Sequence, residues 1–167
     1  MVGLEIERKF VIKKPDVEML LALPDFSDSR ITQTYLLSDP GVTHRVRART
    51  RDGVTVYTEC KKQRLTSATC IEDEREIDRA EYEELLLARN PAATPIEKRR
   101  LTFRFSERLF EVDIYPGWQR SCIMEVELPG EDVELSFPPF ITLVKEVTGD
   151  KRYSNAGMAR NFPEELI

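Results

Sequence analysis

Acidic side chains occur in pairs, two residues apart, at four places in the chain. The pairs are Glu5/Glu7, Glu74/Glu76, Glu111/Asp113 and Glu125/Glu127. Because residues two apart in a β-strand point to the same face, each pair presents two carboxylates side by side. Carboxylates from separate strands can converge on a hard divalent cation, which points to magnesium, manganese or calcium.

Basic side chains follow the same spacing on other segments. They are Arg45/Arg47/Arg49 and Lys98/Arg100/Arg104. Any one of these strands could be an ordinary solvated face, but solvated faces usually mix the two signs, since like charges repel. The planar fork of arginine suits phosphate oxygens. If the charged faces point into a closed sheet, the set favours a small, highly charged anion such as a linear triphosphate.

The elements that position these residues are predicted from period-two patterns and turn residues. Strands are predicted at 3–12, 30–37, 43–49, 54–61, 71–77, 97–105, 109–115 and 122–128, with Asp52-Gly53 as a hairpin turn. Helices are predicted at 17–23, 79–89 and 131–136, with a last short one in the C-terminal tail. The order favours an antiparallel sheet, closed or nearly closed, with helices outside.

Composition narrows the function classes. The chain has 167 residues and a net charge of -5, which predicts one domain and argues against a general nucleic-acid binder. His44 is the only histidine, so a multi-histidine metal site is excluded. The three cysteines lack a C-x-x-C spacing. The first residues lack the basic-then-apolar pattern typical of a signal peptide, and no apolar run approaches 20 residues. We expect a cytoplasmic protein with no membrane partner.

The ordered set of motifs resembles one family. Glu5-x-Glu7-x-Lys9 is similar to the E-x-E-x-K signature of CYTH proteins, the triphosphate tunnel metalloenzymes. The resemblance continues through the segments 33–36, 45–47, 74–76, 97–100, 110–113, 125–127 and 150–153. It implies an α+β fold: a single domain over 1–167, built as an eight-stranded antiparallel β-barrel (a tunnel) with a charged interior and a few helices outside. The short layout is most similar to bacterial inorganic triphosphatases.

The resemblance also implies roles. Metal ligands for Mg²⁺ or Mn²⁺ would be Glu5, Glu7, Asp113, Glu125 and Glu127. Phosphate would be held by Arg45, Arg47, Arg49, Lys61, Lys98, Arg100 and Lys151. Catalytic roles would fall to Lys9, Tyr35 and Glu76. A tyrosine close to an ammonium such as Lys9 would have a lowered pKa and could help to deprotonate water.

Several points stay open at this level. A tight hairpin at Asp52-Gly53 places Lys62, rather than Lys61, on the face of the arginines unless a bulge intervenes. The expected activity is hydrolysis of the terminal phosphate of inorganic tripolyphosphate. The alternatives are a class IV-type adenylate cyclase, a nucleotide or thiamine triphosphatase, and a non-catalytic polyphosphate-binding module. The expected partner is a small-molecule triphosphate, and a homodimer is the assembly to test.

Overall fold

The computed structural model describes all residues, 1–167. The strands are β1 (Val2–Lys13), β2 (Ser27–Tyr35), β3 (Val42–Arg51), β4 (Val54–Arg64), β5 (Thr69–Ile77), β6 (Ile96–Phe105), β7 (Arg108–Ile114), β8 (Ser121–Glu127) and β9 (Leu143–Glu146). The helices are α1 (Val17–Leu21), α2 (Arg79–Leu85) and α3 (Asn155–Arg160), with short 3₁₀ turns at Leu86–Ala88 and Lys151–Tyr153. None of the helices has the length and apolar character needed to cross a bilayer.

Eight strands close into an antiparallel barrel. The order is β5-β4-β3-β2-β6-β7-β8-β1, and a further pairing of β5 with β1 closes the circle. β1 provides the seam, because Val2–Ile6 pair with β5 and its C-terminal half pairs with β9 along the same edge. The predicted eight-stranded α+β barrel is confirmed, and the ninth strand is an addition that the sequence patterns did not reveal.

The outer face of the barrel carries most of the apolar core. One cluster covers β1, β6, β7 and β8 and includes Phe10, Leu101, Phe103, Phe110 and Val126, with α1 packed on it through Leu20. A smaller cluster of Leu36, Val46 and Ile77 packs against α2. Because apolar side chains occupy the outward positions of these strands, the intervening charged side chains point inward.

The prediction of a helix at 131–136 is wrong. This segment has no regular secondary structure. Val133, Leu135 and Phe137 pack against the outer cluster, a period of two that belongs to extended chain and not to a helix. The segment is a strap over the barrel wall, fastened by Glu131, whose carboxylate accepts hydrogen bonds from the hydroxyls of Thr66 and Thr69.

One end of the barrel is closed by an apolar plug. Val11, Tyr35, Ile96, Tyr115 and Ile123, from inward positions of the strands, pack against the C-terminal segment. That segment contributes Val147, Tyr153, Met158 and Ala159. The chain is tight there, because a Cβ on Gly157 would lie 1.9 Å from the carbonyl oxygen of Lys151. The tunnel is therefore closed at the end where β1 terminates.

Two hairpin turns at the opposite end differ in their residues. Asp52 and Gly53 both have positive φ, 49° and 77°, which confirms the predicted Asp-Gly turn. In the β6–β7 hairpin the same conformation is held by Ser106 and Glu107, at 47° and 63°. Left-handed backbone costs such residues roughly 1–2 kcal/mol each.

Replacing Ser106-Glu107 by Asn-Gly is expected to raise the free energy of unfolding by about 1 kcal/mol, since these residues adopt the left-handed region with less strain. Guanidinium unfolding followed by fluorescence of Trp118 measures the change. The matched control, Gly53→Ala, should lower stability by a similar amount. An Asn-Gly variant no more stable than wild type would contradict the argument.

Candidate active site

Eight carboxylates and six cations lie at inward positions within the barrel, apart from Arg49 and Glu76, which emerge at its open end. The carboxylates belong to Glu5, Glu7, Glu72, Glu74, Glu111, Asp113, Glu125 and Glu127, and the cations to Lys9, Arg45, Arg47, Lys62, Lys98 and Arg100. Buried charges need partners, because desolvation costs more than an isolated charge recovers. Which of these groups are paired therefore determines what the interior can still bind.

The first group is a cluster of carboxylates near the open end. Lys62 pairs with Glu5 at 2.6 Å and with Glu72 at 3.2 Å, measured from Nζ to carboxylate oxygen. Burial, followed by repulsion from Glu111, Glu5 and Glu72, raises the pKa of Glu127. Four strands thus bring their carboxylates close enough to repel one another, with Lys62 beside Glu5 and Glu72, and Arg100 Nη1 at 2.6 Å from Glu111, as the cations among them. Such an acidic cluster is the kind that a divalent cation can join.

Deeper in the barrel, the side chains of Glu7 on β1 and Glu125 on β8 contact each other diagonally, since the register pairs Glu7 with Glu127 and Lys9 with Glu125. Burial and the charge of Glu125 raise the pKa of Glu7 well above its usual value. Lys9 Nζ lies 3.4 Å from a carboxylate oxygen of Glu125 and donates to the carbonyl oxygen of Tyr153 at 3.4 Å. Lys9 is therefore held between the acidic cluster and the plug.

Asp113 organises the cations of β6. Its Oδ1 accepts a hydrogen bond from Arg100 Nε at 2.7 Å, and its Oδ2 accepts from Arg100 Nη2 at 2.8 Å and from Lys98 Nζ at 2.7 Å. Burial alone would raise the pKa of Asp113, but Arg100 and Lys98 hold it at about 2. Burial lowers the pKa of Lys98 to about 7. Three of the roughly four acceptor positions of Asp113 are thus used within the protein.

The two arginines of β3 are the inward cations with no carboxylate oxygen closer than 3.7 Å. Burial alone would lower the pKa of Arg45, but Tyr35, Cys60 and Glu74 raise it above its ordinary value. The nearest carboxylate oxygen to Arg45 is that of Glu74 at 3.7 Å, and Arg45 Nε is buried without any hydrogen-bond partner. Arg47 has no carboxylate within 4.0 Å and donates to the neutral oxygen of Gln33 at 3.2 and 3.0 Å. Burial and repulsion from Arg45 and Arg100 lower the pKa of Arg47 to about 10. An orphaned donor beside a guanidinium without a carboxylate partner is the arrangement expected where an anion binds.

The donor set fits a hard divalent metal. Glu5, Glu7, Glu125 and Glu127 offer carboxylate oxygens from β1 and β8, and hard cations prefer such ligands. Cys60, Glu72 and Glu74 also lie within 4.8 Å of one another. Burial raises the pKa of the Cys60 thiol to about 11, so that sulfur stays protonated and is a poor ligand. By ligand chemistry, the oxygen-only set on β1 and β8 is the better match for a hard cation, although the ligand atoms that already lie within 4.8 Å of one another are those of Cys60, Glu72 and Glu74.

The sequence of the chain is similar to those of known proteins. Two curated relatives, both named inorganic triphosphatase, align over 162 residues. One, from Acetivibrio thermocellus, is 32% identical over 95% of both chains. The other, from Nitrosomonas europaea, is 33% identical over 95% of this chain and 99% of the relative. The chain belongs to the CYTH family of triphosphate tunnel metalloenzymes. No protein-family model matches it.

Solved structures agree with this family assignment. The crystal structure of an inorganic triphosphatase aligns with a TM-score of 0.59 and 29% identity over 96% of this chain and 97% of that one. A Pyrococcus horikoshii protein aligns with a TM-score of 0.60 and 20% identity over 77% and 80% of the two chains. That second likeness concerns the tunnel fold alone.

The tunnel corrects one predicted site residue. The assignment of Lys61 to phosphate binding is wrong, because Lys61 is exposed on the outer face of β4 and pairs in register with His44 and Asp73. The hairpin register runs without a bulge, so Lys62 takes the inward position. The tight Asp52-Gly53 turn already indicates the inward position of Lys62, whereas the family resemblance favours Lys61.

Three other predicted residues are not gathered with the rest. Arg49 and Glu76 lie on inward positions of β3 and β5 but are exposed, because those strands run out past the open end. Lys151 is exposed in the 3₁₀ turn that packs over the closed end and makes no ion pair there. Their assigned roles stay predictions.

Tyr35 is in the tunnel, but beside a different cation. It is buried in the plug, its hydroxyl accepts a hydrogen bond from Gln33 Nε2 at 2.9 Å, and it interacts with Arg45. The predicted direct pairing with Lys9 is not formed. Sequence reasoning also gave no role to Gln33, Glu72 and Glu111, although their inward spacing matches that of their assigned neighbours.

Truncating Asp113 tests the buried network. Asp113→Ala should lower the free energy of unfolding by about 3 kcal/mol or more, since it leaves Lys98 and Arg100 buried without their main partner. The control is Asp28→Ala, which removes the exposed Arg99–Asp28 pair (2.6 Å) and should cost under about 1 kcal/mol. Denaturant unfolding of both variants measures the difference, and equal losses would contradict the assignment.

Proposed function

We propose that this protein is a divalent-metal-dependent phosphoanhydride hydrolase that removes the terminal phosphate of inorganic triphosphate. The observation that carries the proposal is the split interior of the tunnel, with clustered carboxylates on β1 and β8 and underpaired arginines on β3. A metal-bound polyanion compensates both groups, because the metal ion binds the carboxylates and the phosphate oxygens bind the arginines. The two curated relatives named inorganic triphosphatase support the substrate class.

The inner surface also favours a substrate without a nucleoside. Tyr35 and Tyr115 are the aromatic residues at inward positions, and both are buried within the plug. Neither leaves a ring face exposed on which a base could stack. A triphosphate alone matches the charged walls, and this supports inorganic triphosphate over ATP or thiamine triphosphate.

The metal would be held by Glu5, Glu7, Glu125 and Glu127. We assign Mg²⁺ or Mn²⁺ to this site, where such an ion neutralises phosphate charge and lowers the pKa of a bound water. Asp113 has most of its acceptor positions filled, so its proposed part is to hold Lys98 and Arg100 in place for phosphate oxygens. Repulsion among the carboxylates in the free protein favours the loaded state.

The cations provide positioning. Arg45 and Arg47 bind phosphate oxygens through donors that the protein leaves unused, while Lys98 and Arg100 are fixed by Asp113. Phosphoryl transfer depends chiefly on alignment and charge neutralisation, so no nucleophilic side chain is required. Lys9 stays in the proposed mechanism as a cation at the closed end. Tyr35, whose hydroxyl accepts from Gln33, keeps its own proton free to be donated elsewhere.

Other partners follow from the same proposal. The ligand is a small-molecule triphosphate, and nucleic acid is not expected because the net charge is -5. The three cysteines are free and buried, which supports the expected cytoplasmic compartment. A homodimer stays a prediction that sedimentation would test.

Phosphate release is the direct test of the activity. Purified protein with Mg²⁺ or Mn²⁺ should release orthophosphate from tripolyphosphate, and chelation with EDTA should abolish the release reversibly. ATP and thiamine triphosphate should be poorer substrates. Pyrophosphate with cyclic AMP from ATP would instead identify a cyclase. Binding without turnover, in wild type and in Glu127→Gln alike, would identify a polyphosphate-binding module.

Adjacent lysines on opposite faces of β4 provide a matched pair. Lys62→Ala should lower kcat/KM for tripolyphosphate at least tenfold, because it removes the only ammonium among the carboxylates at the open end and disturbs their geometry. Lys61→Ala should change kcat/KM less than twofold, since its side chain lies outside the barrel. Steady-state phosphate release measures both. Equal effects, or a larger effect of Lys61→Ala, would contradict the placement.

A further inference from the structure

Gln33 is a fully buried amide in the middle of the tunnel wall. It lies on β2, opposite Arg47 of β3 and Ile96 of β6. Its Oε1 accepts from Arg47 Nε and Nη2, and its Nε2 donates to the hydroxyl of Tyr35. Because a guanidinium has only donors, the oxygen must face Arg47, and the amide nitrogen is thereby directed at Tyr35.

Arg47 differs from its buried neighbours in what it pairs with. Lys9, Lys62, Lys98 and Arg100 each have a carboxylate within 4.0 Å, and Arg45 has Glu74 at 3.7 Å. Arg47 alone among these six has no carboxylate within 4.0 Å, and its side-chain partner is the neutral amide of Gln33. An amide fixes the fork of a guanidinium nearly as well as a carboxylate does, but it leaves the positive charge uncancelled.

We propose that Gln33 is a positioning and specificity residue that holds Arg47 in a fixed orientation while keeping its charge available for a phosphate group of the substrate. The inference rests on the proposed triphosphate substrate. The chemistry explains why an amide, and not one of the carboxylates so common on the neighbouring strands, occupies this place. A carboxylate here would form a buried ion pair with Arg47, and substrate would have to compete with it.

The same amide sets the hydrogen-bond direction at Tyr35. Because Gln33 Nε2 donates to the hydroxyl oxygen, the proton of Tyr35 points away from Gln33. One side chain therefore links an anion-binding arginine to the tyrosine that interacts with Arg45.

Two near-isosteric variants separate charge from shape. Gln33→Glu keeps the size and the fork but adds the carboxylate that cancels the charge of Arg47. Gln33→Met keeps the volume and removes both hydrogen bonds without adding charge. Gln63→Glu is the matched control, since it adds the same charge at an exposed position of β4.

Steady-state hydrolysis of tripolyphosphate with Mg²⁺ gives the decisive readout. Gln33→Glu should raise KM at least tenfold and change kcat less than threefold, whereas Gln33→Met should raise KM less than Gln33→Glu does. Gln63→Glu should match wild type. The stabilisation of the EDTA-treated protein by tripolyphosphate, measured as a shift in Tm, should fall in the same order.

Two results would overturn the proposal. One is a KM of Gln33→Glu within threefold of wild type. The other is equal KM values for Gln33→Glu and Gln33→Met, accompanied by equal losses of Tm without ligand, which would identify a purely structural role. If wild type itself neither hydrolyses nor is stabilised by tripolyphosphate, the proposed function fails and this inference falls with it. If wild type hydrolyses tripolyphosphate normally and Gln33→Glu leaves KM unchanged, the role of Gln33 is refuted while the proposed function stands.

Discussion

The structure depends on a balance of buried charge. Closing eight strands into a barrel leaves every second side chain facing a narrow interior, and here those side chains are mostly charged. Such an interior is stable only if each charge has a partner. The protein meets this by pairing most cations with carboxylates, as at Asp113, which holds both Lys98 and Arg100. The groups that remain underpaired define what the tunnel can bind.

The other elements cover the outer wall of the barrel and close one end of its charged interior. The apolar clusters lie on the outside of the wall, where α1, α2 and the extended strap at 131–136 cover them. The plug closes one end with apolar side chains and the C-terminal segment. Lys9 and Asn155 join the plug to the charged region, since Asn155 Oδ1 accepts hydrogen bonds from Tyr115 and from Lys98. The charged groups are thereby confined to one chamber with one open end.

Much of the barrel and its charged interior could be predicted from the alternation of charged and apolar residues along the strands. The charged strands, the Asp52-Gly53 turn and the outward apolar positions determine which side chains point inward, and they predicted the acidic and basic sets of β1, β3, β6 and β8. The alternation of charged and apolar residues predicts which face of the strand a side chain lies on, but not how deep in the barrel that side chain is. Arg49 and Glu76 share the inward face with Arg47 and Glu74, yet they emerge at the open end because the strands are staggered around the barrel. The prediction for Lys61 is wrong for another reason, because the register of the β3–β4 hairpin, and not the family motif, determines which lysine of β4 points inward.

Longer-range features could not be derived in this way. The short β9 pairs with β1 across more than 130 residues, and four residues carry too little pattern to reveal it. The strap at 131–136 has helix-compatible residues, and only the apolar surface beneath Val133 and Leu135 decides its extended form. The place of Tyr35 beside Arg45, and the link through Gln33, depend on packing between strands that sequence spacing does not encode.

A crystal structure of the protein grown with inorganic tripolyphosphate and Mn²⁺ would test whether the charged chamber binds a triphosphate. We expect phosphate density inside the barrel in contact with Arg45 and Arg47, and an anomalous peak for manganese among Glu5, Glu7, Glu125 and Glu127. Phosphate bound only on the outer surface, or manganese away from those carboxylates, would contradict this expectation.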